Sequence, residues 1–228
     1  MSDLISLPPL SLYVHMPWCV RKCPYCDFNS HAAPGDEQGG VPEAAYISAL
    51  LQDLDQDLAD FPDTHAGERE LVSIFIGGGT PSLISPAGYA TLFTGLRQRL
   101  RFADDIEITL EANPGTVEQG LFQGYREVGI NRLSIGVQTF QTAQLKALGR
   151  IHSGDEAQRA AQSAREVGFS NFNLDLMHGL PGQSLQQALD DLRQAIALEP
   201  THLSWYQLTP APNTVFFREQ PVLPDEDV

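Results

Sequence analysis

Short apolar runs alternate along the chain with longer amphipathic stretches. Six of the runs are typical of strands, and they predict strands at residues 10–15, 71–76, 106–110, 132–137, 172–176 and 202–208. Between them apolar residues recur at helical spacing, which predicts helices, capping residues included, at 44–58, 85–100, 116–128, 143–148, 155–167 and 185–198. The pattern therefore predicts about six β/α units.

Repeated β/α units without hairpin signals predict a parallel sheet. Six units are fewer than the eight of a closed barrel, so the expected fold is α/β, a partial (β/α)6 TIM-like barrel. No break in composition, internal repeat or low-complexity tract divides the chain. We therefore expect a single domain over residues 1–228.

Polar or glycine-rich positions follow almost every predicted strand. They are His15, the run Gly77-Gly78-Gly79-Thr80, Glu111, Gln138, Asp175 and the pair Tyr206-Gln207. The carboxyl ends of parallel strands share one rim, which is where such folds bind ligands. Each residue alone could cap a helix or form a tight turn, but their recurrence on successive strands favours a ligand site.

All three cysteines of the chain, Cys19, Cys23 and Cys26, lie within eight positions in the pattern C-x3-C-x2-C. Thiolates this close in sequence can converge on a soft metal centre. A [4Fe–4S] cluster would keep one iron without a protein ligand, whereas zinc would need a fourth ligand such as His15 or His31. The remaining interpretation is that the three cysteines are unrelated residues of the core.

Charge and hydropathy exclude several classes of function. Fourteen Lys and Arg against 29 Asp and Glu give a net charge of −15, which argues against binding nucleic acid or an anionic membrane surface. No apolar run approaches the ~20 residues of a membrane-spanning helix. The first ten residues do not resemble a secretory signal, and the cysteines do not suggest a disulfide framework, so we expect a cytoplasmic protein.

Several motifs together resemble the radical SAM enzymes of the oxygen-independent coproporphyrinogen III oxidase family. They are YVHMPWC at 13–19, CPYC at 23–26, GGGTP at 77–81, EANP at 111–114, SIGVQTF at 134–140, LGRIH at 148–152 and DLMHGLP at 175–181. The match extends from about residue 10 to the end of the chain. Within the family, the HemW-type heme chaperones look most similar.

The resemblance implies a cofactor set and a role for each matching residue. Cys19, Cys23 and Cys26 would hold a [4Fe–4S] cluster, and S-adenosylmethionine would chelate its fourth iron and be cleaved reductively to a deoxyadenosyl radical. Tyr13, Gly78 and Glu111 match contacts of this S-adenosylmethionine. The positions that match contacts of a second S-adenosylmethionine are Tyr25, Gly79, Thr80, Gln138, Arg150 and Asp175.

These residues also have purely structural readings. Tyr13 could pack on a neighbouring strand, and Gly77–Gly79 could form only a tight turn between strand and helix. Asp175 could satisfy a backbone amide, and Arg150 could be a cation at a helix C-terminus.

Two departures from the oxidase favour the chaperone branch. Phe28 stands where the oxidase has a further cysteine, and only 18 residues precede Cys19, so the oxidase's covering N-terminal segment is expected to be missing. The resemblance then implies heme as cargo, a heme-acceptor protein that could be membrane-associated, and an electron donor. Coproporphyrinogen III oxidation and a zinc protein without radical chemistry are the alternatives.

The end of the chain raises one further expectation. Family members continue past Val228, and the heme-associated motif of the chaperones lies in that later portion, so the sequence looks like a radical SAM core without its C-terminal domain. His152, His178 and His202 remain as candidate axial ligands for heme, although a lone histidine near a strand end is more often structural.

Overall fold

A parallel sheet of six strands is the frame of the computed structural model, which describes residues 7–34, 40–62, 66 and 68–225, with only the backbone of residues 116 and 117. The strands are β1 (Leu10–Met16), β2 (Trp18–Cys19), β3 (His31–Ala32), β4 (Glu70–Gly78), β5 (Arg101–Ala112), β6 (Arg132–Gln138), β7 (Phe172–His178) and β8 (His202–Gln207). The sheet has the order β1-β4-β5-β6-β7-β8, and every pair of neighbours is parallel. The predicted α/β fold with six β/α units is confirmed.

Helices connect the strands in the order expected for β/α units. They are α1 (Glu43–Asp60), α2 (Pro86–Arg97), α3 (Thr116–Glu127), α4 (Thr142–Ala147), α5 (Gly154–Glu166), α6 (Leu185–Ala197) and α7 (Val215–Glu219), with a short 3-10 helix at Pro81–Leu83. Local sequence explains several starts, since Ser85, Ser153 and Ser184 each accept a hydrogen bond from a first-turn backbone N–H. No helix of the described ranges is long and apolar enough to cross a membrane.

Strand β5 is longer than the pattern predicts. It begins at Arg101 instead of residue 106, because Arg101 and Phe102 already pair with Glu70 and Leu71. The register then shifts, so that Ser73 pairs with Glu107. The intervening acids of β5 interrupt the apolar alternation, which is why periodicity alone missed the first half of the strand.

The short elements around the cysteines were also missed. β2 and β3 have two residues each and pair only with one another, and α7 has five residues, so none is long enough to show a period. Their position depends on tertiary contacts. The backbone N–H of Phe216 in α7 donates to the carbonyl of Pro24, which ties α7 to the cysteine loop, residues 19–29.

Two apolar clusters hold this frame together. The large one fills the space between the sheet and α1, α2, α3 and α5, and its most buried aromatic side chains are Tyr89, Phe93, Phe122 and Tyr125. The small one lies at the carboxyl ends of β7 and β8 and contains Leu148, Met177, Leu180, Leu208 and Phe216, with Tyr25 packed against it. The second cluster therefore anchors the cysteine loop to the sheet.

Candidate functional site

A cavity of about 550 Å³ opens at the carboxyl ends of β4 to β8, under the cysteine loop. The residues that the resemblance assigns to the cluster and to the two ligands line it, except Tyr13: Cys19, Cys23, Tyr25, Cys26, Gly78, Gly79, Thr80, Glu111, Gln138, Arg150 and Asp175. Of the residues predicted at the strand ends, His15 and Gly77 do not line it, whereas Tyr206 and Gln207 do. The parallel strand ends and the cysteine loop thus bring together residues that are far apart in sequence, from Cys19 to Asp175. Cavities of this size are typical of sites for small ligands.

The three cysteines carry free thiols and sit on a loop that short strands hold in place. Cys19 is buried in β2, where its carbonyl accepts from the N–H of Ala33 at 2.8 Å, and the Cys26 N–H donates to the Cys23 carbonyl at 3.2 Å. Burial raises the pKa of the Cys26 thiol, and a hydrogen bond from the backbone of Phe28 acts in the opposite direction. Burial is the larger of the two effects, so the pKa of the Cys26 thiol stays above its ordinary value.

Of the two histidines considered as a fourth zinc ligand, His15 has both ring nitrogens hydrogen-bonded, and His31 is exposed on β3. The Nε2 of His15 lies 2.8 Å from the Asn29 carbonyl and must donate to it, so Nδ1 accepts from the Tyr13 hydroxyl at 3.0 Å. His31 lies in β3, paired with Trp18. Within the described ranges no three His, Cys, Asp or Glu residues are placed to hold one metal ion. In a cluster each thiolate binds a different iron, so this finding bears on a single-ion site alone.

The glycine-rich turn after β4 is shaped by its contacts with β1 and β2. Gly78 has φ +112, and a Cβ there would lie 2.6 Å from Cε1 of His15; a Cβ on Gly79 would lie 2.4 Å from the Trp18 carbonyl oxygen. The N–H groups of Gly79 and Thr80 donate to the carbonyls of Met16 and Trp18 at 2.6 Å. These glycines are required by the protein's own packing, and the turn delivers the Gly78 backbone to the cavity.

Glu111, at the end of β5, is a carboxyl group of the cavity wall whose pKa is strongly raised by its environment. Its Oε2 accepts from the Gly78 N–H at 3.0 Å. Burial, together with the charge of Asp175, raises the pKa of Glu111 to about 7, and the Gly78 hydrogen bond only partly offsets this. A carboxyl group with this pKa in a cavity is a candidate for binding a cationic or hydroxyl-bearing ligand.

Asp175 is held by side chains of its own and the adjacent strand. Its Oδ2 accepts from the Ser134 hydroxyl at 2.8 Å and its Oδ1 from the Asn173 amide at 2.8 Å. These bonds orient the carboxylate on the cavity wall, so Asp175 does not serve to satisfy a backbone amide, as its structural reading proposed.

Arg150 lies in the loop between α4 and α5 and reaches across the rim. Its Nη2 donates to Asn113 Oδ1 at 2.7 Å and to the Gly136 carbonyl at 2.8 Å, while Nη1 lies 3.6 Å from Cys23 Sγ. Arg150 therefore does not act only as a cation at a helix C-terminus, the alternative considered from sequence. Its guanidinium bonds side chains and backbone of three other segments.

Gln138 ends β6 in the left-handed region, with φ 67. That conformation is uncommon for a residue with a side chain and costs of the order of 1–3 kcal/mol. The register between β6 and β7 shifts at this point. The Gln138 side chain accepts from the Tyr206 hydroxyl at 2.8 Å, and burial raises the pKa of Tyr206 to about 12, so Tyr206 remains a hydrogen-bond donor.

The remaining candidates, Tyr13 and the three histidines considered as heme ligands, do not line the cavity. Tyr13 does not line the cavity and is 56% exposed, with its ring stacked on Phe75. The buried His152 has its Nε2 3.1 Å from the Val137 carbonyl, and burial lowers its pKa to about 4. His178 packs against the Trp205 ring, and His202 contacts the hydroxyl of Thr201.

Asn113, Ser134 and Phe28 line the cavity but were not predicted as site residues, and Tyr206, which also lines it, was predicted only as one of the residues at strand ends. Asn113 and Ser134 belong to the quoted motifs EANP and SIGVQTF, and Tyr206 stands at the end of a predicted strand. Motif membership was therefore the signal that could have identified Asn113 and Ser134, whereas Phe28 lies outside the motifs. The partners of Asn113, Ser134 and Tyr206 are Arg150 in the α4–α5 loop, Asp175 on β7 and Gln138 on β6. Because these partners come from other elements, the hydrogen bonds themselves could not be foreseen.

Comparison with known proteins agrees with this geometry. The family model described as "Radical SAM superfamily" matches residues 13–195. "Heme chaperone HemW" of Escherichia coli is 59% identical over 98% of this chain and 57% of its own length, and the Haemophilus influenzae protein of the same name is 58% identical over 97% and 57%. The chain thus spans just over half the length of these curated relatives.

Among solved structures, the coproporphyrinogen III oxidase HemN of Escherichia coli, described as a radical SAM enzyme, superposes with a TM-score of 0.78. It is 29% identical, and the superposition covers 96% of this chain and 49% of that one. The family match, the parallel β/α frame and the three cysteines at its rim lead to one conclusion: the chain belongs to the radical SAM superfamily.

Proposed function

We propose that this chain is the radical SAM core of a heme chaperone, which binds a [4Fe–4S] cluster and S-adenosylmethionine and works with heme as its cargo. The observation that carries the proposal is that Cys19, Cys23 and Cys26 line the same cavity as Glu111 and Asp175. Identity of 59% to a relative named as a heme chaperone supports the choice of cargo.

The cysteine loop fits a cluster with one open iron. Three free thiols and no further cysteine are available in the chain, which suits three ligated irons and a fourth left for an exogenous ligand. Hydrogen-bond donors from Arg150 and from the backbone of Phe28 approach two of the sulfurs. When bound, such a cluster supplies one electron to the sulfonium of S-adenosylmethionine.

The cavity walls fit S-adenosylmethionine, which carries an ammonium group, a sulfonium and ribose hydroxyls. Glu111 offers a carboxylate to these groups, and the Gly78 N–H, which donates to its Oε2 at 3.0 Å, holds that carboxylate in place. Glu111 loses its proton when it accepts from a cation, since its pKa of about 7 falls on contact with positive charge. The Gly78 backbone is the other proposed contact of this ligand.

The other predicted residues are the proposed contacts of a second ligand in the same cavity, by their match to the second S-adenosylmethionine site of the oxidase branch. They are Tyr25, Gly79, Thr80, Gln138, Arg150 and Asp175. Tyr13, which matches a contact of the first S-adenosylmethionine, does not line the cavity, so its proposed part is indirect: its hydroxyl bonds the His15 ring, and that ring lies against Gly78. We also propose a heme-acceptor protein and an electron donor as partners, and the cytoplasm as location.

The proposed function is tested by three titrations on one preparation. Anaerobic reconstitution with iron and sulfide should give a brown protein with about four iron atoms per chain, and calorimetry should then detect S-adenosylmethionine binding. Heme is titrated in parallel into this chain and into the longer Escherichia coli relative. We expect weaker heme binding here, because His152 is bonded to the backbone and His178 packs on Trp205.

A colourless protein holding one zinc would replace the proposal with the zinc alternative. Tight heme binding by this chain would keep heme as the cargo but place the heme site within the chain's own residues. The TM-score of 0.78 to an oxidase keeps porphyrin oxidation as the second candidate. Its test is conversion of coproporphyrinogen III by the reconstituted protein with S-adenosylmethionine and a strong reductant, and we expect no protoporphyrinogen.

A further inference from the structure

Arg150 is the residue that joins the cysteine loop to the strand ends. Two hydrogen bonds from Nη2, to Asn113 Oδ1 and to the Gly136 carbonyl, fix the plane of its guanidinium. With that plane fixed, Nη1 points at Cys23 Sγ, 3.6 Å away. Because the guanidinium of an arginine is planar and rigid, its two bonds to Asn113 and Gly136 determine the direction in which Nη1 donates. The single ammonium group of a lysine could not make these three contacts in this geometry.

The sequence next to Arg150 brings it to this position. Gly149 has φ +67, and a Cβ there would lie 2.9 Å from Cδ of Pro24. The α4–α5 loop can therefore approach the segment between Cys23 and Cys26 closely. The Arg150 N–H donates to the Leu145 carbonyl at 2.9 Å, so the backbone that carries the guanidinium is also held.

We propose that Arg150 is a positioning residue that raises the reduction potential of the cluster by donating a charged hydrogen bond to the Cys23 sulfur. The inference rests on the proposed function, since it needs the cluster on these cysteines. Reduction adds one electron and one unit of negative charge to the cluster. A guanidinium that stays protonated stabilises the reduced form more than the oxidised form, and hydrogen bonds to cluster sulfurs are a known means of setting potential.

Nearby groups do not duplicate this contact. Two other cations, Arg21 and Lys22, lie in the cysteine loop. The Nζ of Lys22 donates to the carbonyls of Phe28 and Ser30 at 3.1 and 3.0 Å, and Arg21 lines the cavity without a hydrogen bond to a sulfur among those found for the described residues. Tyr25 also hydrogen-bonds the Cys23 side chain, as a neutral donor. In the hydrogen bonds found for the described residues, Arg150 is thus the cationic side chain that reaches a cysteine sulfur.

The test is a redox titration of reconstituted protein with dithionite, followed by electron paramagnetic resonance, without S-adenosylmethionine. Arg150→Met keeps the length of the side chain and removes the donor. We expect the ratio of reduced to oxidised cluster at a fixed potential to fall about tenfold, a shift of about 59 mV to more negative values. Lys22→Gln is the matched control, and it should change the ratio less than twofold.

Two further variants keep the measurement decisive if Arg150→Met fails to take up a cluster. Asn113→Ala removes one anchor of the guanidinium and should lower the potential by less than Arg150→Met. Arg150→Lys keeps the charge without the fork and should lie between wild type and Arg150→Met. All three shifts in the same direction support the inference.

The outcomes separate this inference from the proposed function. If the wild-type cluster forms and Arg150→Met has the same potential, the inference is wrong and the proposed function stands. If Arg150→Met takes up no cluster, an unchanged potential in Asn113→Ala has the same meaning. An equal shift in Lys22→Gln also overturns it, because charge at a distance would then explain the effect. A wild-type protein that takes up no iron and sulfide overturns the proposed function and the inference together.

Discussion

Tyr206 at the end of β8 donates its hydroxyl to Gln138 at the end of β6, at 2.8 Å and 68 positions apart in sequence. The bond spans the end of β7, which lies between the two strands in the sheet. Gln138 sits there with φ 67, so the bond fixes a side chain on a strained backbone. The wall of the cavity is therefore held by a contact between strands that are not neighbours.

We expect Tyr206 and Gln138 to be energetically coupled. In a double-mutant cycle of Tyr206→Phe and Gln138→Ala, the coupling in the free energy of unfolding should be about 0.5–1.5 kcal/mol, as for one hydrogen bond. Denaturant unfolding measures it. Ser204 is the control, since it lies on the same strand but bonds Asn173, and Ser204→Ala with Gln138→Ala should be additive.

Glu111→Gln should weaken S-adenosylmethionine binding and remove its pH dependence. Losing a charged acceptor costs about 1.5–3 kcal/mol, or roughly tenfold to 150-fold in affinity. Because the pKa of Glu111 is about 7 before the ligand binds, wild-type affinity should rise as the pH increases from 6 to 8. Calorimetry on cluster-loaded protein measures both; equal affinity in the variant would remove Glu111 from the site.

The same substitution should stabilise the ligand-free protein at high pH. A carboxyl group whose pKa is about 7 when folded and 4.5 when unfolded stabilises the fold below pH 4.5, and this contribution is lost as the pH rises to 7. Glu111→Gln should therefore match wild type at pH 4.5 and exceed it by about 1–2 kcal/mol at pH 8. Thermal unfolding tests this, with Asp104→Asn, at an exposed site on β5, as the control.

Replacing any one of Cys19, Cys23 and Cys26 by Ala should abolish the intact cluster. Three protein ligands leave none to spare, and no other cysteine exists in the chain to substitute. Iron and sulfide analysis after reconstitution is the measurement. Asp27→Asn alters the same loop without removing a sulfur and should keep its full content. Full iron and sulfide in Cys23→Ala would contradict the assignment.

Gly79→Ala should destabilise the protein, whereas Gly120→Ala should not. A Cβ at Gly79 meets the Trp18 carbonyl oxygen at 2.4 Å, a rigid backbone atom, so overpacking should cost about 1–3 kcal/mol. At Gly120, within α3, a Cβ meets nothing within 4 Å, and alanine should be neutral or stabilise by up to ~1 kcal/mol. A fully stable Gly79→Ala would mean that β2 moves freely against the turn.

Strand order and the rim of the site were largely predictable from sequence. Residues 132–137 form an apolar run that is followed by Gln138, and residues 172–176 form another that contains Asp175 near its end. Repeated β/α units impose parallel strands, and the carboxyl ends of parallel strands share one rim. The spacing of Cys19, Cys23 and Cys26 also follows directly from the chain. These features depend on neighbours within a few residues, where local pattern is informative.

Only the tertiary structure decided which side chains bond one another at that rim. Sequence reasoning gave Arg150 and Gln138 roles toward a ligand, and the fold pairs them first with Asn113 and with Tyr206. It also left Gly79 as a place for close ligand approach, although packing against Trp18 is what demands the glycine. Such contacts join strands that are distant in sequence, and their distances depend on register shifts and twist that no local period encodes.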